Sequence, residues 1–339
     1  MSKESIVLIT GAGGEIGHSL VESFYQEGAR NIVAMDLKPL PVNLTHKCLS
    51  TIEGNILDKE LLNKIAVDFN IGSVIHLAAL LSTSGERNPL LAHEVNVQGT
   101  LNLLELANSE SNEHSERVKF IFPSSIAVYG IPSLEIKMLK GKVNENEFLN
   151  PITMYGANKL ASEHLGRYYS KHYKLLENNP NLRKIDFRAL RFPGLISAFT
   201  IPSGGTSDYA PEMLHSIAKG ETYKCFARAD TTIPFMVMPD AINAILKLHS
   251  AKSENLTLSA YNVTSFAPSA IEIFELIKLY FNDCKIEFDT HLQRQQILDS
   301  WCADIDDSAA KIDWGWNAEY DLTKAFEEYL IPQIRKLYS

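Results

Sequence analysis

Between an apolar run, Ile6-Val7-Leu8-Ile9, and an amphipathic stretch from Ile16 to Tyr25 lies Thr10-Gly11-Ala12-Gly13-Gly14-Glu15-Ile16-Gly17. A strand, a glycine turn and a helix in that order constrain the fold more than any other feature of the chain. Gly11 permits the tight turn, Gly14 lets backbone approach a pyrophosphate, and Gly17 lets the helix pack on a sheet. The helix amino terminus, opened by Glu15 and Ile16, then aims N–H groups and its dipole at phosphates. Asp36 closes a second strand, Ile32-Val33-Ala34-Met35, at the end of the helix and strand that follow Gly17. A carboxylate there accepts both hydroxyls of an adenosine ribose and repels a 2′-phosphate, which points to NAD rather than NADP. Asn55, with Ile56 beside it, follows the third strand and can hydrogen-bond the adenine or else cap its own loop.

The alternation continues. Val74-Ile75-His76-Leu77, Lys119-Phe120-Ile121-Phe122 and Ile185 to Leu190 are further runs of strand length. Asp58 to Phe69, Leu91 to Ala107 and Tyr155 to Tyr173 carry apolar residues at helical spacing. Continuous apolar strands between amphipathic helices predict an α/β fold, a Rossmann-type doubly wound parallel sheet covered on both faces. After about Pro193 the pattern breaks. The chain is loop-rich to Ala229, Asp240 to Ser250 reads as a helix, Tyr261-Asn262-Val263 as a strand, and the tail mixes both. Residues 1–196, completed by about 237–264, are expected to form the NAD-binding domain. Residues 197–236 and 265–339 are expected to form a smaller α/β substrate domain across a cleft. The polar stretches Asn108 to Glu116 and Glu177 to Lys184 read as exposed loops away from the site.

Charge excludes one class of partner. The chain of 339 residues has 32 basic and 41 acidic side chains, a net charge of −9, whereas neutralising nucleic-acid phosphates needs a basic field. No run nears the ~18–20 consecutive apolar residues of a membrane span. The opening Met-Ser-Lys-Glu-Ser leads straight into a strand, leaving no room for a signal or transit peptide, so a cytoplasmic location is expected. Cys48, Cys225, Cys284 and Cys302 lack Cys-x-x-Cys spacing and the ten histidines lack H-E-x-x-H, so neither a disulfide framework nor a metal site is expected. His76, ending a strand, reads as a satisfied core residue.

Tyr155-Gly-Ala-Asn-Lys159 places a phenol and an ammonium four apart, on one face of a helix. The positive charge is expected to favour phenolate and to lower the tyrosine pKa toward neutrality. Tyr320 and Lys324 have the same spacing and read as a solvated helix face. What separates the pairs is Ser124-Ser125, which follows the fifth strand upstream of Tyr155. A hydroxyl there can meet the phenol over one substrate oxygen.

These residues resemble the extended short-chain dehydrogenase/reductases. The matching stretches are the loop at 10–17, His76-Leu77-Ala78-Ala79, Asn96 in Val-Asn-Val-Gln-Gly-Thr, Ser124-Ser125-Ile-Ala-Val-Tyr-Gly130, Tyr155 with Lys159, and Arg191-Phe-Pro-Gly194. Together they run from Thr10 to Gly194 in the family's order. The resemblance implies that Tyr155 is the acid/base and that Lys159 also holds the nicotinamide ribose. It implies that Ser125 polarises the substrate oxygen, with Ser124 its cofactor-side neighbour. It adds Leu77, Ala78, Ala79, Asn96 and the backbone of Leu195 to the NAD site, with Asn96 orienting the Tyr/Lys pair or serving structure alone.

Many members of that family act on nucleotide sugars and carry an arginine that clamps the diphosphate. Here Ile233, in Ile233-Pro-Phe-Met-Val-Met-Pro-Asp240, stands at that position, and its side chain cannot bind phosphate. The surrounding stretches resemble instead the family of short-chain type L-threonine 3-dehydrogenases. They are Leu80-Leu-Ser-Thr-Ser-Gly-Glu86, Gly204-Gly-Thr-Ser-Asp-Tyr-Ala210, Asp230-Thr-Thr-Ile-Pro234, Met238-Pro-Asp-Ala241, Asp299-Ser-Trp301, Ile305-Asp-Asp-Ser308 and Asp313-Trp-Gly-Trp316. The resemblance implies oxidation of L-threonine with NAD, and an amino-acid pocket lined by Ser82, Ser125, Tyr155, Thr206, Ser207 and Asp208. Hydroxyls suit a carboxylate, and Asp208 suits an ammonium or else braces its loop. Trp301 closes over the substrate or packs at a hinge, and Asp306-Asp307-Ser308 reads as a helix cap. The alternative activity is that of an NAD-dependent nucleotide-sugar epimerase/dehydratase; an NAD-binding regulator would not need the complete Ser/Tyr/Lys set. The family also implies a homodimer, paired through helices at 91–107 and 155–173.

Overall fold

Val7 and Ile9 of β1 (Ser5–Thr10) pack into one apolar layer while Ile6 and Leu8 pack into another, as alternating side chains must when helices cover both faces of a sheet. The structure, a computed structural model, describes residues 4–114, 116–177, 184–202, 204–282 and 284–339. The central sheet has seven parallel strands: β1, β2 (Ile32–Asp36), β3 (Ser50–Glu53), β4 (Asn70–His76), β5 (Lys119–Ser125), β6 (Asp186–Phe192) and β7 (Ala260–Asn262). Their order is β7-β6-β5-β4-β1-β2-β3. The winding direction reverses between β4 and β1, and in such sheets ligands bind outside the carboxyl ends at that switch point. Leu8 is fully buried there, a burial that contributes about 1.5–3 kcal/mol; a charged residue in its place would open the sheet.

α1 (Glu15–Gln26) leaves the glycine turn and buries Leu20, Val21 and Phe24, one stripe of a helix. α2 (Lys59–Asp68) begins at Asp58, whose carboxylate accepts the Leu61 N–H. α3 (Ser82–Arg87) follows the β4 loop. The expected helix over 91–107 is instead a short helix Pro89–His93, one π-helical turn Glu94–Gln98, and α4 (Gly99–Glu113). α5 (Met154–Arg167) carries Tyr155 and Lys159. A third apolar cluster, including Ile196, Met213, Ile233, Phe235, Trp301 and Phe326, lies beyond the strand ends.

Three further expectations are corrected. Asn108 to Glu116 is no exposed loop: residues through Glu113 continue α4, and Asn108, Glu110 and Ser111 are buried. The polarity of Glu110 and Ser111 is absorbed by backbone, whereas Asn108 Oδ1 is buried without a hydrogen-bond partner among the described residues. Glu110 accepts the Ile71 N–H at 3.0 Å, and Ser111 donates to Ala107 and accepts from Val118. Of the other expected loop, residues 178–183 lie outside the described residues. The loop-rich stretch to Ala229 contains α6 (Tyr209–Ala218), which buries Met213, Leu214 and Ile217. Tyr320 lies outside a helix, because Asp321 caps the short helix Leu322–Lys324. α7 (Met238–Ser250) and α8 (Leu292–Ser300) complete the elements that bear on the site. Among the described residues no helix is long and apolar enough to cross a membrane.

Candidate active site

A cavity of about 400 Å³ opens at the carboxyl ends of the strands. The glycine loop forms one end of it, with Leu77 and Ala79. Ser124, Ser125, Tyr155 and Lys159 line its floor, and Leu195, Ser82 and Thr206 to Asp208 line the opposite end. Asp36, Asn55, Ile56, Ala78 and Asn96 are not among its lining residues.

The loop is shaped for close approach. Gly11 has φ +71°, and a Cβ there would sit 2.5 Å from the Ala78 nitrogen. A Cβ on Gly17 would sit 2.6 Å from the Gly11 carbonyl oxygen. Ala78 is thus the wall behind Gly11. No side chain caps α1 at Gly14, so its positive end is left to face the cavity. Asp36 accepts the Gly13 N–H at 2.9 Å and the Lys38 N–H at 3.2 Å, which fixes its carboxylate beside the loop. These features fit a dinucleotide: a glycine turn packed too tightly against backbone to carry side chains, an uncapped helix start and a carboxylate at the ribose end.

Other expected cofactor contacts have structural partners. Asn55 Oδ1 accepts the Leu57 N–H at 3.0 Å, the loop cap that its position allowed. Ile56 is buried against Gly99. Asn96 spends both ends of its amide on Leu80, whose N–H donates to Oδ1 (2.7 Å) and whose carbonyl accepts from Nδ2 (2.9 Å). Its own carbonyl accepts the Thr100 and Ser162 hydroxyls. Thus Asn96 pins the loop after β4 to the π-helical turn.

At the catalytic end, α5 starts at Thr153, whose hydroxyl accepts the Gly156 N–H, while Glu86 of α3 accepts the Met154 N–H at 2.7 Å. That start delivers Tyr155 to the same stretch of cavity wall as Ser125, whose hydroxyl acts on the phenol. Lys159 Nζ donates to the Pro123 carbonyl at 2.6 Å and lies 5.6 Å from the Tyr155 ring centre. The expected lowering of the tyrosine pKa is not found. Burial pushes the phenol up to about 12, opposed only by the Ser125 hydrogen bond, and pushes the Lys159 ammonium down to about 8, opposed by the Glu163 carboxylate. Helical spacing places the two groups on one face, but the low-dielectric floor outweighs their attraction.

Ser124 faces away from this pair. Its hydroxyl donates at 2.5 Å to Glu163, which Arg191 also holds, all three being buried. Sequence reasoning passed over Glu163, although its place four residues after Lys159 on the same helix was a signal. His76 is the satisfied core residue expected, between Thr10 and Thr100, its pKa pushed down to about 3 by burial.

At the far end Thr206 donates to Ser82 Oγ at 3.2 Å. Asp208 accepts the Gly205 N–H at 2.6 Å and so braces its loop. Ser207 packs beside Gly194. Trp301, 5% exposed, both lines the cavity and belongs to the apolar cluster beyond it. Ile233 is wholly buried in that cluster. Asp306 receives the Ser308 N–H as a cap, whereas Asp307 instead accepts the Trp316 indole N–H. Among the described residues one group, Glu110, Glu113 and His114, could converge on a metal ion. The Glu110 carboxylate there already serves the Ile71 N–H.

Residues 7–264 match the model of the NAD dependent epimerase/dehydratase family. An uncharacterised epimerase/dehydratase of Staphylococcus saprophyticus is 35% identical over 323 residues, 94% of this chain and 93% of its own. A mitochondrial L-threonine 3-dehydrogenase of Bos taurus is 34% identical over 320 residues, 93% of this chain and 79% of its own. The solved structure of a monomeric L-threonine 3-dehydrogenase from a metagenome, in its apo form, has a TM-score of 0.83 at 36% identity, covering 98% of this chain and 100% of that one. A match over about three quarters of the chain, with relatives spanning the rest, makes the chain an enzyme of the NAD dependent epimerase/dehydratase family, the extended short-chain dehydrogenase/reductases.

Proposed function

We propose that the enzyme oxidises the β-hydroxyl of L-threonine to 2-amino-3-oxobutanoate, with NAD as electron acceptor. The observation that carries this reading is the end of the cavity facing Tyr155. It presents Ser82, Thr206, Ser207 and Asp208, while Ile233 is buried where a diphosphate clamp would stand. Such a pocket suits a short zwitterion, and among the described residues that line this end none is a cation.

Gly11 to Gly17, Asp36 and Leu195 would hold NAD, which when bound supplies the two-electron acceptor. Tyr155 takes the hydroxyl proton on its phenolic oxygen, and Ser125 steadies the substrate oxygen beside it. The phenol, raised to about 12, needs positive charge nearby to act as a base. Lys159 brings that charge, and Glu163 keeps the ammonium from losing its proton. General-base catalysis contributes on the order of 10²–10⁴-fold. Orientation between the two ends of the cavity accounts for much of the rest. Trp301 limits the entry of water. Two copies pair through the Pro89–His93 helix, α4 and α5, where Leu90, Leu91 and Tyr168 are exposed; light scattering at working concentrations tests this pairing.

The deciding measurement is NADH formation with L-threonine, L-serine and UDP-glucose in parallel. Threonine-dependent NADH formation is expected. Conversion of UDP-glucose with no net NADH, and none from threonine, would overturn the reading in favour of an epimerase or dehydratase.

A further inference from the structure

The segment Gly204 to Asp208 is gripped from both sides. From α3, the Thr83 hydroxyl donates to the Gly204 carbonyl at 2.7 Å, and Ser82 receives the Thr206 hydroxyl. From α8, Arg294 Nη2 donates to the Gly205 carbonyl at 2.5 Å. That carbonyl also accepts the Asp208 N–H at 3.2 Å, while the Asp208 carboxylate accepts the Gly205 N–H. One residue's backbone is therefore held at its donor and at its acceptor.

Arg294 is built for this grip. Its guanidinium lies on the face of Phe226, with Cζ 3.1 Å from the ring centre, which orients the plane before any hydrogen bond forms. The carboxylates of Asp208 and Glu212 and the Tyr223 hydroxyl supply the field around the cation. α8 is itself anchored, since Gln295 accepts the Arg228 N–H and Asp299 pairs with the Arg228 side chain. Yet Arg294 does not line the cavity and touches neither the Tyr155 nor the glycine-loop end.

We propose that Arg294 is a positioning residue for the substrate, fixing Thr206 to Asp208 at the spacing that a short zwitterionic amino acid requires. It sets amino-acid affinity and leaves NAD affinity alone. This role rests on the reading that the 204–208 segment faces the substrate.

Two measurements on the purified full-length enzyme test it separately. In steady-state kinetics, Arg294→Met is expected to raise the KM for L-threonine about tenfold or more, with kcat within about threefold and the NAD KM within about twofold. Arg294→Lys, able to donate to one carbonyl but not to stack, recovers part of the loss. In hydrogen-exchange mass spectrometry, Arg294→Met is expected to speed exchange of the 204–210 amides about tenfold and to leave residues 10–17 unchanged. Should Arg294→Met fail to fold, Phe226→Leu keeps the arginine, removes its platform and is expected to give the same pattern at smaller size. Unchanged exchange at 204–210 in a folded variant, or equal rises in both KM values, overturns the proposal. Faster exchange in a protein that does not oxidise threonine supports the grip and defeats only the substrate assignment.

Discussion

Arg191 holds Glu163 by two parallel hydrogen bonds, Nε to Oε1 at 2.9 Å and Nη2 to Oε2 at 2.6 Å, where α5 packs on β6. The other edge of the guanidinium reaches the Tyr129 hydroxyl and the Glu145 carbonyl, and Tyr129 continues to Asn262 of β7. The helix that carries Tyr155 and Lys159 is thus tied to the last two strands of the sheet through one buried ion pair. Arg191→Met leaves the Glu163 carboxylate buried without its cation, which costs about 3–5 kcal/mol. Urea denaturation should show that loss. The double variant Glu163→Leu with Arg191→Met should lose less than Arg191→Met alone, because no unpaired charge remains. Equal stability of the single variant and the parent would refute the argument.

The proton affinities at the catalytic end predict the direction of the pH dependence. With Tyr155 as the proposed base and burial holding its phenol at about 12, activity should rise as pH rises through the neutral and mildly alkaline range. Between pH 7 and 8 the expected rise in kcat/KM is about tenfold, and it flattens above about 8, where Lys159 gives up the charge that favours the phenolate. Tyr155→Phe should remove the rise together with most turnover, at unchanged NAD affinity. Lys159→Met should push the rise to higher pH. A flat profile in the parent enzyme would mean that another group accepts the proton.

The cofactor end could be read from the chain because its evidence is local: a strand, a glycine turn and a helix, all between Ser5 and Gln26. The convergence of Tyr155, Lys159 and Ser125 on one cavity was legible for a similar reason, helical spacing and strand ends. What could not be read depends on distant partners. Glu110 and Ser111 look solvent-facing until Ile71 and Val118 are found to need them. The Tyr155 proton affinity was misjudged because spacing shows that an ammonium is near but not how little water is. Arg294 is invisible because its target, Gly205, is 89 residues earlier and the bond goes to backbone, which has no sequence signature.

In the proposed function Asp36 sets the cofactor choice. Its carboxylate, fixed by the Gly13 and Lys38 N–H groups, leaves no tolerance for a 2′-phosphate nearby. Two such charges at close range repel by roughly 1–4 kcal/mol depending on the local dielectric. Asp36→Ser should therefore shift the ratio of kcat/KM for NADP over NAD toward NADP by about tenfold or more. NAD itself should bind more weakly, because the Gly13 N–H also loses its acceptor. An unchanged ratio would place the ribose away from Asp36.

Ser82 and Thr206 share one hydrogen bond across the proposed amino-acid end, at 3.2 Å, so any contributions they make to substrate affinity cannot be independent. Each hydroxyl has capacity left for a carboxylate, and losing one hydrogen bond of this kind costs about 1 kcal/mol. Ser82→Ala and Thr206→Val should each lower kcat/KM for L-threonine about fivefold, at unchanged NAD KM. The double variant should lose less than the product of the two, because either single change already breaks the shared bond. A product-like loss would show two separate contacts with the substrate. No loss in any variant would remove this end of the cavity from substrate binding.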